Sequence, residues 1–213
     1  MPYQIDTQKK LTIALLAVVA IGCQVVLEAT RVEKRMPYYE VKLQASRLAA
    51  QAFDVLRRDR LADGAVLDLS NDPAGTGLIG PEYSLITNAR GVLSAKLTTL
   101  NPNFAAVIVD YFEQINIHKG DPVAVAVSGS FPGLNICVYA ALTAMELRPA
   151  IITSVGASNW GANDPNFTWL DMERILVQEG VFDCFSVAAS AGGADDMGRG
   201  LSPEGRRLIR EAI

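Results

Sequence analysis

Two apolar runs that each end in a Gly/Ser-rich loop lie between Val123 and Asn163. The first reads VAVAVSGSFPGLN from Val123, and the second reads AIITSVGASNWGAN from Ala150. Val123–Val127 is continuously apolar and rich in valine, which is typical of a strand buried on both faces. A predicted helix to about Leu147 separates the two runs. The pattern therefore predicts two parallel strands joined by a helix.

The same pattern occurs a third time toward the C-terminus. Phe182–Ala188 is predicted to be a strand, Ser190–Gly200 a loop, and Ser202–Glu204 the start of a final helix. The alternation indicates an α/β class: a parallel sheet with helices on both faces. Because a sheet of so few strands is small, we expect either a chain truncated at its C-terminus or a sheet that takes strands from the earlier region.

The region before this core is predicted to begin with an amphipathic helix over Tyr38–Leu61 and a short strand over Ala65–Leu69. Gly75, Gly77 and Gly80 then formally match the dinucleotide-binding pattern G-x-G-x-x-G. That pattern requires a helix that begins on the glycines and faces a pyrophosphate. A proline follows directly and no clear helix begins there, so a flexible loop is the better interpretation.

Ser84–Leu100 is open to two interpretations, a hairpin that turns at Asn88–Gly91 or a helix from Val92. Lys96 lies in this stretch, where an exposed lysine is the commoner case and contact with an anionic ligand the alternative. A further helix is predicted from Asn101-Pro102 to about Asn116. Its predicted buried face consists of Phe104, Val107, Ile108, Tyr111, Phe112 and Ile115.

The apolar segment Leu11–Leu27 is predicted to anchor the chain in a membrane. Its 17 residues are near the lower limit for a spanning helix. Lys9 and Lys10 precede it, and the polar stretch Glu28–Arg35 follows it. We favour a retained signal anchor over a cleaved signal peptide, because no A-x-A-like cleavage site follows the apolar run.

Two further features bear on this segment. Ala20–Cys23 loosely resembles a lipobox, so lipidation of Cys23 is a third interpretation, although the apolar run continues past the cysteine. The two lysines before the segment favour a cytoplasmic N-terminus, and Arg31, Lys34 and Arg35 after it oppose that orientation. We expect a single-pass protein of the cell membrane whose soluble domain is extracytoplasmic.

Composition agrees with an anchored globular protein. Of 213 residues, 50% are hydrophobic and 20% are charged, which suits a sizeable core. The formal net charge of −4 gives no electrostatic reason to expect nucleic acid as a partner. We divide the chain into an anchor with its flanks, residues 1–36, and an α/β domain, residues 37–213. Within the domain, residues 37–120 are helical or mixed and residues 121–213 form the βαβαβα core.

Cysteine and histidine usage limits the chemistry. The chain has three cysteines and one histidine, His118, so a mechanism that needs two histidines is excluded. No C-x-x-C or His/Cys cluster is present, so we predict no metal site. Cys137 and Cys184 are expected to be unpaired core thiols, and a disulfide between them in an exported domain is the alternative. His118 is expected to be a surface turn residue.

The three polar loops Ser128–Gly133, Gly156–Asn166 and Ser190–Gly200 are predicted to share one edge of the sheet. Ligands of open parallel sheets bind beyond the carboxyl ends of the strands. Small residues leave backbone N–H groups accessible, and helix N-termini favour anions such as carboxylate. The candidate ligand-binding residues are Ser128, Gly129, Ser130, Asn135, Ser154, Ser158, Asn159, Trp160, Asn163, Asp164, Asp195 and Asp196.

Whether this site also carries out a reaction is left open by the sequence. Ser130 is the candidate nucleophile, but the G-x-S-x-G context of a nucleophile elbow is not reproduced around it. Asp164 is the candidate general base, and Asp171 and Glu173 are further acidic groups for an amine, a metal or a proton. Gly/Ser loops are also ordinary connectors in α/β folds. The sequence identifies no cofactor.

Several segments resemble one known family. They are SGSFPGLN from Ser128, SVGASNWGANDPNFTWLDME from Ser154, GRGLSPEGR from Gly198 and AKLTTLNPNFAAVIVD from Ala95. From about Tyr38 onward the chain is similar to the family named poly-gamma-glutamate system protein. Members accompany the bacterial machinery that makes and exports poly-γ-glutamate, and they run longer than this chain, which implies truncation here. The resemblance supplies no catalytic residues.

Three functions are consistent with the residues and the resemblance together. The leading hypothesis is a membrane-anchored accessory protein of poly-γ-glutamate synthesis or export, which binds the polymer or synthase components through the loops. A polymer with one carboxylate per residue would suit an anion-binding site. The first alternative is a hydrolase or transferase that acts on γ-glutamyl amide bonds. The second is a purely structural subunit of a membrane complex.

Overall fold

The computed structural model describes residues 7–32 and 35–213. The chain forms two compact units, Met1–Pro37 and Tyr38–Ile213. One charge used above to weigh the membrane orientation, Lys34, lies outside the described residues.

The first unit contains one long helix, α1 (Thr7–Ala29). Its span Lys9–Ala29 has 21 residues and a mean hydropathy of 2.3, and none of it is buried. At 1.5 Å per residue this span is about 31 Å long, which matches the hydrocarbon thickness of a bilayer. The helix is therefore long and apolar enough to cross a membrane. A signal sequence would meet the same criteria, so retention of the anchor stays a prediction.

The second unit has six helices among the described residues. They are α2 (Tyr39–Ala62), α3 (Leu93–Thr98), α4 (Phe104–Gln114), α5 (Pro132–Ala144), α6 (Trp169–Gln178) and α7 (Pro203–Ala212). Helix α2 packs against α4, α5 and α6. Ala45, Ala49 and Ala52 of α2 are fully buried, and their spacing of three to four residues puts them on one face. Small side chains on this face let the alanine-rich α5 approach closely.

Seven strands in the described part of the chain form three small sheets. They are β1 (Thr87–Ala89), β2 (Pro122–Ser128), β3 (Arg148–Ser154), β4 (Ala157–Ser158), β5 (Asn163–Asp164), β6 (Phe167–Thr168) and β7 (Ser186–Ser190). The main sheet has the order β2-β3-β7, and its strands are all parallel. Strands β1 and β4 pair in parallel, and β5 and β6 form an antiparallel pair. The predicted α/β class with a parallel sheet is confirmed.

The main sheet is covered on one face only, which differs from the expectation. Burial alternates along β2, where Ala124 and Ala126 are exposed and the valines between them are partly buried. In β3, Ile151 is fully buried while Ile152 is 54% exposed. The prediction that Val123–Val127 is buried on both faces is therefore wrong, and helices on both faces are not observed along these strands.

Two predicted elements are absent from the described residues. Residues 65–69 form no strand, because the Asp68 carboxylate accepts hydrogen bonds from the N–H groups of Ser70 and Asn71 and makes a turn there. The hairpin at Asn88–Gly91 is also wrong, because β1 pairs with β4, far along the chain. The alternative helix after Val92 is confirmed as α3.

Helix α4 is confirmed, but its start and its buried face differ from the prediction. Asn101 makes a turn, in which its side-chain oxygen accepts from the Asn103 N–H at 3.0 Å, and the helix begins at Phe104. Ala105 and Val109 are fully buried, whereas three residues of the predicted apolar face are exposed. Contact with α2 and α5 selects a narrower stripe than the sequence pattern indicates. The exposed three are Val107, Tyr111 and Ile115.

Several local sequence signals are confirmed. Ser202 caps α7 by accepting from the Gly205 N–H at 3.0 Å, with Pro203 in the first turn. His118 is exposed in a turn, as predicted. The described cysteines are all free: Cys137 is buried in the core, and Cys184 packs against it. The third strand of the sheet begins at Ser186, later than predicted, and Phe182 is buried in the core instead.

Candidate functional site

The three loops predicted to share one edge of the sheet do meet there, with the second loop between the other two. Ala162 N–H donates to the Gly129 carbonyl of the first loop at 2.7 Å. On the other side, Gly156 N–H donates to the Ala191 carbonyl of the third loop at 3.1 Å. The parallel order of β2, β3 and β7 brings their carboxyl ends, and so these loops, together.

A fourth segment, from β1 to the start of α3, lies against the second loop. Gly91 N–H donates to the Asn159 side-chain oxygen at 2.9 Å, and Asn159 N–H donates to the Ala89 carbonyl at 3.2 Å. Asn88 lies so close to Gly156 that a Cβ there would be 2.3 Å from its side-chain nitrogen. This segment did not figure in the predicted site, because only the parallel pairing of β1 with β4 brings it there.

Lys96 of α3 is the most unusual residue at this junction. Its side chain is only 2% exposed. Nζ donates to the Ser130 carbonyl of the first loop and lies 2.7 Å from the Ser158 hydroxyl of the second loop. Nζ also lies 3.7 Å above the centroid of the Phe131 ring. The amine therefore holds two loops together, and the expectation of an exposed lysine is wrong.

This buried amine has no carboxylate partner among the described residues. The lysines that form ion pairs there are Lys42 and Lys119. Burial lowers the pKa of Lys96 from 10.5 to about 8, because desolvation penalises the charged form. A buried cation without an anionic partner is costly to keep. Such strongly perturbed groups are concentrated at functional sites.

The candidate residues of the first loop shape that loop. Ser130 N–H donates to the Ser128 hydroxyl at 3.3 Å, and the Asn135 amide donates to the Ser128 carbonyl at 2.8 Å. The Ser130 hydroxyl accepts from the Ser158 N–H at 3.1 Å. Ser128 and Ser130 are both partly buried. Ser130 therefore lies at the junction with Lys96, but its hydroxyl already accepts a backbone hydrogen bond.

The backbone N–H groups of the second loop are not available to a ligand. Gly156, Ala157 and Ser158 are the small residues whose N–H groups were expected to be accessible. They donate to the Ala191 carbonyl, the Ile86 carbonyl and the Ser130 hydroxyl, at 3.1 to 3.4 Å. The expectation that this loop presents accessible N–H groups is therefore wrong. The cationic group that the structure places at this junction is Lys96.

Asn163 and Asp164 lie at the far end of the second loop and contact a different region. The Asn163 amide donates to the Pro81 carbonyl and the Thr87 hydroxyl, both at 2.8 Å. Asp164 pairs with Arg60 of α2 at 3.3 Å, beside a cavity of about 390 Å³. Because Arg60 already engages this carboxylate, Asp164 gains no support as a general base.

The acidic residues of the third loop are engaged within that loop. Asp195 pairs with Arg199 at 2.5 Å. Asp196 accepts from the Ser190 hydroxyl at 2.8 Å and from the Gly192 N–H at 2.9 Å. Ser154 lies at the end of β3, where its carbonyl accepts from the Gly129 N–H at 3.0 Å. These residues shape the edge of the loop. The carboxylates of Asp195 and Asp196 already have partners within the loop or at its start.

The remaining acidic candidates are structural. Asp171 completes a capping box with Thr168 at the start of α6. Glu173 is 6% exposed and accepts hydrogen bonds from the Tyr139 hydroxyl and from the N–H and hydroxyl of Ser186. The described residues contain no group of three or more His, Cys, Asp or Glu side chains that could hold a metal ion.

The glycine-rich loop after α2 folds around its own carboxylate. Asp72 is 2% exposed, and it accepts from the Gly77 N–H at 2.8 Å and the Thr76 hydroxyl at 3.0 Å. The Gly77 N–H that would face a phosphate in a dinucleotide site is therefore occupied, and no helix begins there. This arrangement agrees with the loop interpretation of the G-x-G-x-x-G match.

Asn88 was not among the predicted site residues, and contact of Lys96 with an anionic ligand was only the alternative to an exposed side chain. Ser130 and Ser158 are the predicted site residues that contact Lys96. Comparison with family models, with curated proteins and with solved structures finds no match for this chain.

Proposed function

We propose that this chain is a membrane-anchored accessory protein of poly-γ-glutamate synthesis or export, and that it binds the carboxylates of the polymer at the Lys96 junction. The observation that carries the proposal is a buried lysine without a carboxylate partner among the described residues. The family resemblance of the loop segments supplies the choice of polymer. The apolar helix α1 is consistent with attachment to a membrane.

The physical argument concerns the charge of Lys96. With a pKa of about 8, the amine is mostly protonated at pH 7. Its charge lies under the first and second loops, in a region where fields are weakly screened. A carboxylate that binds beside the partly buried Ser130 would offset this charge, even without direct contact with Nζ. A chain with one carboxylate per repeat offers many such groups at high local concentration.

Binding of fluorescently labelled poly-γ-glutamate to the full chain in detergent tests the proposal. At pH 7 and low salt we expect Lys96→Met to weaken binding about 10-fold or more, since one charge interaction of about 1.4 kcal/mol is worth that factor. Lys119→Met is the matched control, because Lys119 is an exposed lysine that pairs with Glu146. It should bind the polymer as the unaltered chain does.

Two results would contradict the proposal. If the full chain does not bind the polymer at all, a role in polymer binding is excluded, and the alternative of a purely structural membrane subunit is favoured. If Lys96→Met and Lys119→Met weaken binding equally, the polymer is held by general surface charge. The Lys96 junction is then not its site.

A further inference from the structure

The contact between Lys96 and Ser158 has a geometry suited to proton transfer. Nζ lies 2.7 Å from the Ser158 hydroxyl oxygen, within the range in which a base removes a proton. In its neutral form a lysine amine has two N–H donors and one lone pair. The Ser130 carbonyl takes one N–H, so the lone pair can accept the proton of Ser158.

The buried environment of this pair makes the neutral amine accessible near pH 8, while the charged form is the major one at pH 7. Lys96 is 2% exposed and Ser158 is 6% exposed. The pKa of Lys96 is lowered by burial alone, with no contribution from an acidic side chain of the described residues. A desolvated lysine next to a serine hydroxyl is a known way to activate a nucleophile without a histidine. The chain's single histidine, His118, is exposed in a distant turn and takes no part.

We propose that Ser158 is a nucleophile, with Lys96 as its general base, for acyl transfer from an amide. The sequence suggested Ser130 as the nucleophile, but this residue positions the pair instead. The Ser130 hydroxyl accepts a hydrogen bond from the Ser158 N–H, and the Ser130 carbonyl accepts one from the Lys96 amine. Gly91 packs closely beside the Ser158 hydroxyl, where an added Cβ would lie 3.2 Å from Oγ and 2.5 Å from the Asn159 carbonyl oxygen.

The step is balanced without a cofactor. Neutral Lys96 takes the hydroxyl proton as Ser158 Oγ attacks the amide carbonyl carbon. The C–N bond then breaks, and Lys96 returns the proton to the leaving nitrogen. Water or the amine of another chain next attacks the ester carbonyl carbon and gives a proton to neutral Lys96. The ester C–O bond breaks and Lys96 passes that proton to Ser158 Oγ, which gives hydrolysis or transfer and restores the serine. The identity of the acyl group as γ-glutamyl rests on the proposed function.

Labelling with a small fluorophosphonate tests the nucleophile independently of the polymer. In this reaction the Ser158 Oγ–P bond forms, fluoride leaves, and Lys96 takes the proton. We expect tandem mass spectrometry to locate the adduct on Ser158 of the full chain. The labelling rate should rise about 10-fold per pH unit at acidic to neutral pH and level off above about 8. Ser158→Ala should abolish the adduct, and Lys96→Met should slow labelling about 100-fold or more.

Ser94→Ala is the control, since Ser94 is an exposed serine on the same short helix as Lys96; this variant should be labelled at the unaltered rate. An unlabelled Ser158 at pH 9, or equal labelling of Ser158 and Ser94, would overturn the inference. If Lys96→Met does not fold, the pH profile of the unaltered chain decides alone: a labelling rate without a midpoint near pH 8 counts against the lysine base.

Polymer binding at pH 7 is measured in parallel, to separate this inference from the proposed function. Labelling without binding rejects only the proposed function, and binding without labelling rejects only this inference.

Discussion

At the scale of single residues, Lys96 shows why the site was hard to find from sequence. In the sequence it stands between Ala95 and Leu97 in a segment whose fold was ambiguous, and lysines are almost never buried unless they are paired. In the structure the amine is covered because α3 lies under loops that come from distant parts of the chain. Burial of a residue is decided by tertiary packing, which the local pattern around it does not contain.

The protonation of Lys96 gives a prediction about stability. Burial lowers its pKa from 10.5 to about 8, so between these values the unfolded chain binds more protons than the folded chain. The contribution of Lys96 to the free energy of unfolding should therefore rise with pH across this window, by up to about 1.4 kcal/mol per pH unit. Denaturant unfolding at several pH values between 7.5 and about 10 measures it.

The comparison with Lys96→Met isolates this contribution. Burial also raises the pKa of Cys137 to about 12 and of Cys184 to about 11, and these thiols destabilise the fold as pH rises above 9. They act equally in both proteins and cancel in the difference. A difference in unfolding free energy that stays constant with pH would mean that Lys96 is not desolvated.

At the scale of elements, Glu173 connects three parts of the fold. It lies on α6 and accepts hydrogen bonds from Tyr139 of α5 and from the N–H and hydroxyl of Ser186, the first residue of β7. Burial, together with the bond to Glu173, raises the pKa of Tyr139 far above its usual range, so the phenol remains a donor. This junction fixes where β7 begins and therefore where the third loop leaves the sheet.

Removal of this carboxylate tests the role of the junction. Glu173→Ala leaves the buried hydroxyl of Tyr139 and the N–H of Ser186 without this acceptor, and unsatisfied buried donors cost about 1–3 kcal/mol each. The Ser186 hydroxyl still has the Thr153 hydroxyl at 2.7 Å. We expect the free energy of unfolding to fall by about 3 kcal/mol or more in chemical denaturation. Glu179→Ala, at the exposed end of α6, should change it by less than about 0.5 kcal/mol. Equal effects of the two substitutions would refute the role given to Glu173.

The elements also show which sequence signals are reliable. Thr168 with Asp171, and Ser202 with Pro203, begin their helices as their local chemistry requires. The pairing of β1 with β4 brings together residues about 70 positions apart, and no turn signal near Asn88 encodes it. Capping depends on a few neighbouring residues, whereas strand pairing and the buried face of α4 depend on partners elsewhere in the chain.

At the scale of the whole molecule, the strand-helix alternation was sufficient to predict the α/β class and the common edge of the three loops. The extent of burial was not predictable in the same way. An apolar strand such as β2 has the same sequence pattern whether one or both of its faces are covered. Here Ala124 and Ala126 are exposed. The chemistry at the loop edge was not predictable from the loops either. Its central group, the amine of Lys96, comes from a helix outside all three loops.

Lys96 is proposed to be a desolvated amine that gains a nearby carboxylate when the polymer binds. Nuclear magnetic resonance of chain labelled with ¹³C at lysine Cε, with the signal assigned by its loss in Lys96→Arg, measures this amine directly. Without polymer we expect a pKa of about 8 for Lys96. With poly-γ-glutamate we expect this pKa to rise clearly, since a nearby carboxylate favours the charged form. A pKa near 10.5 in the free protein, or one that does not move when the polymer is bound, would contradict this proposal.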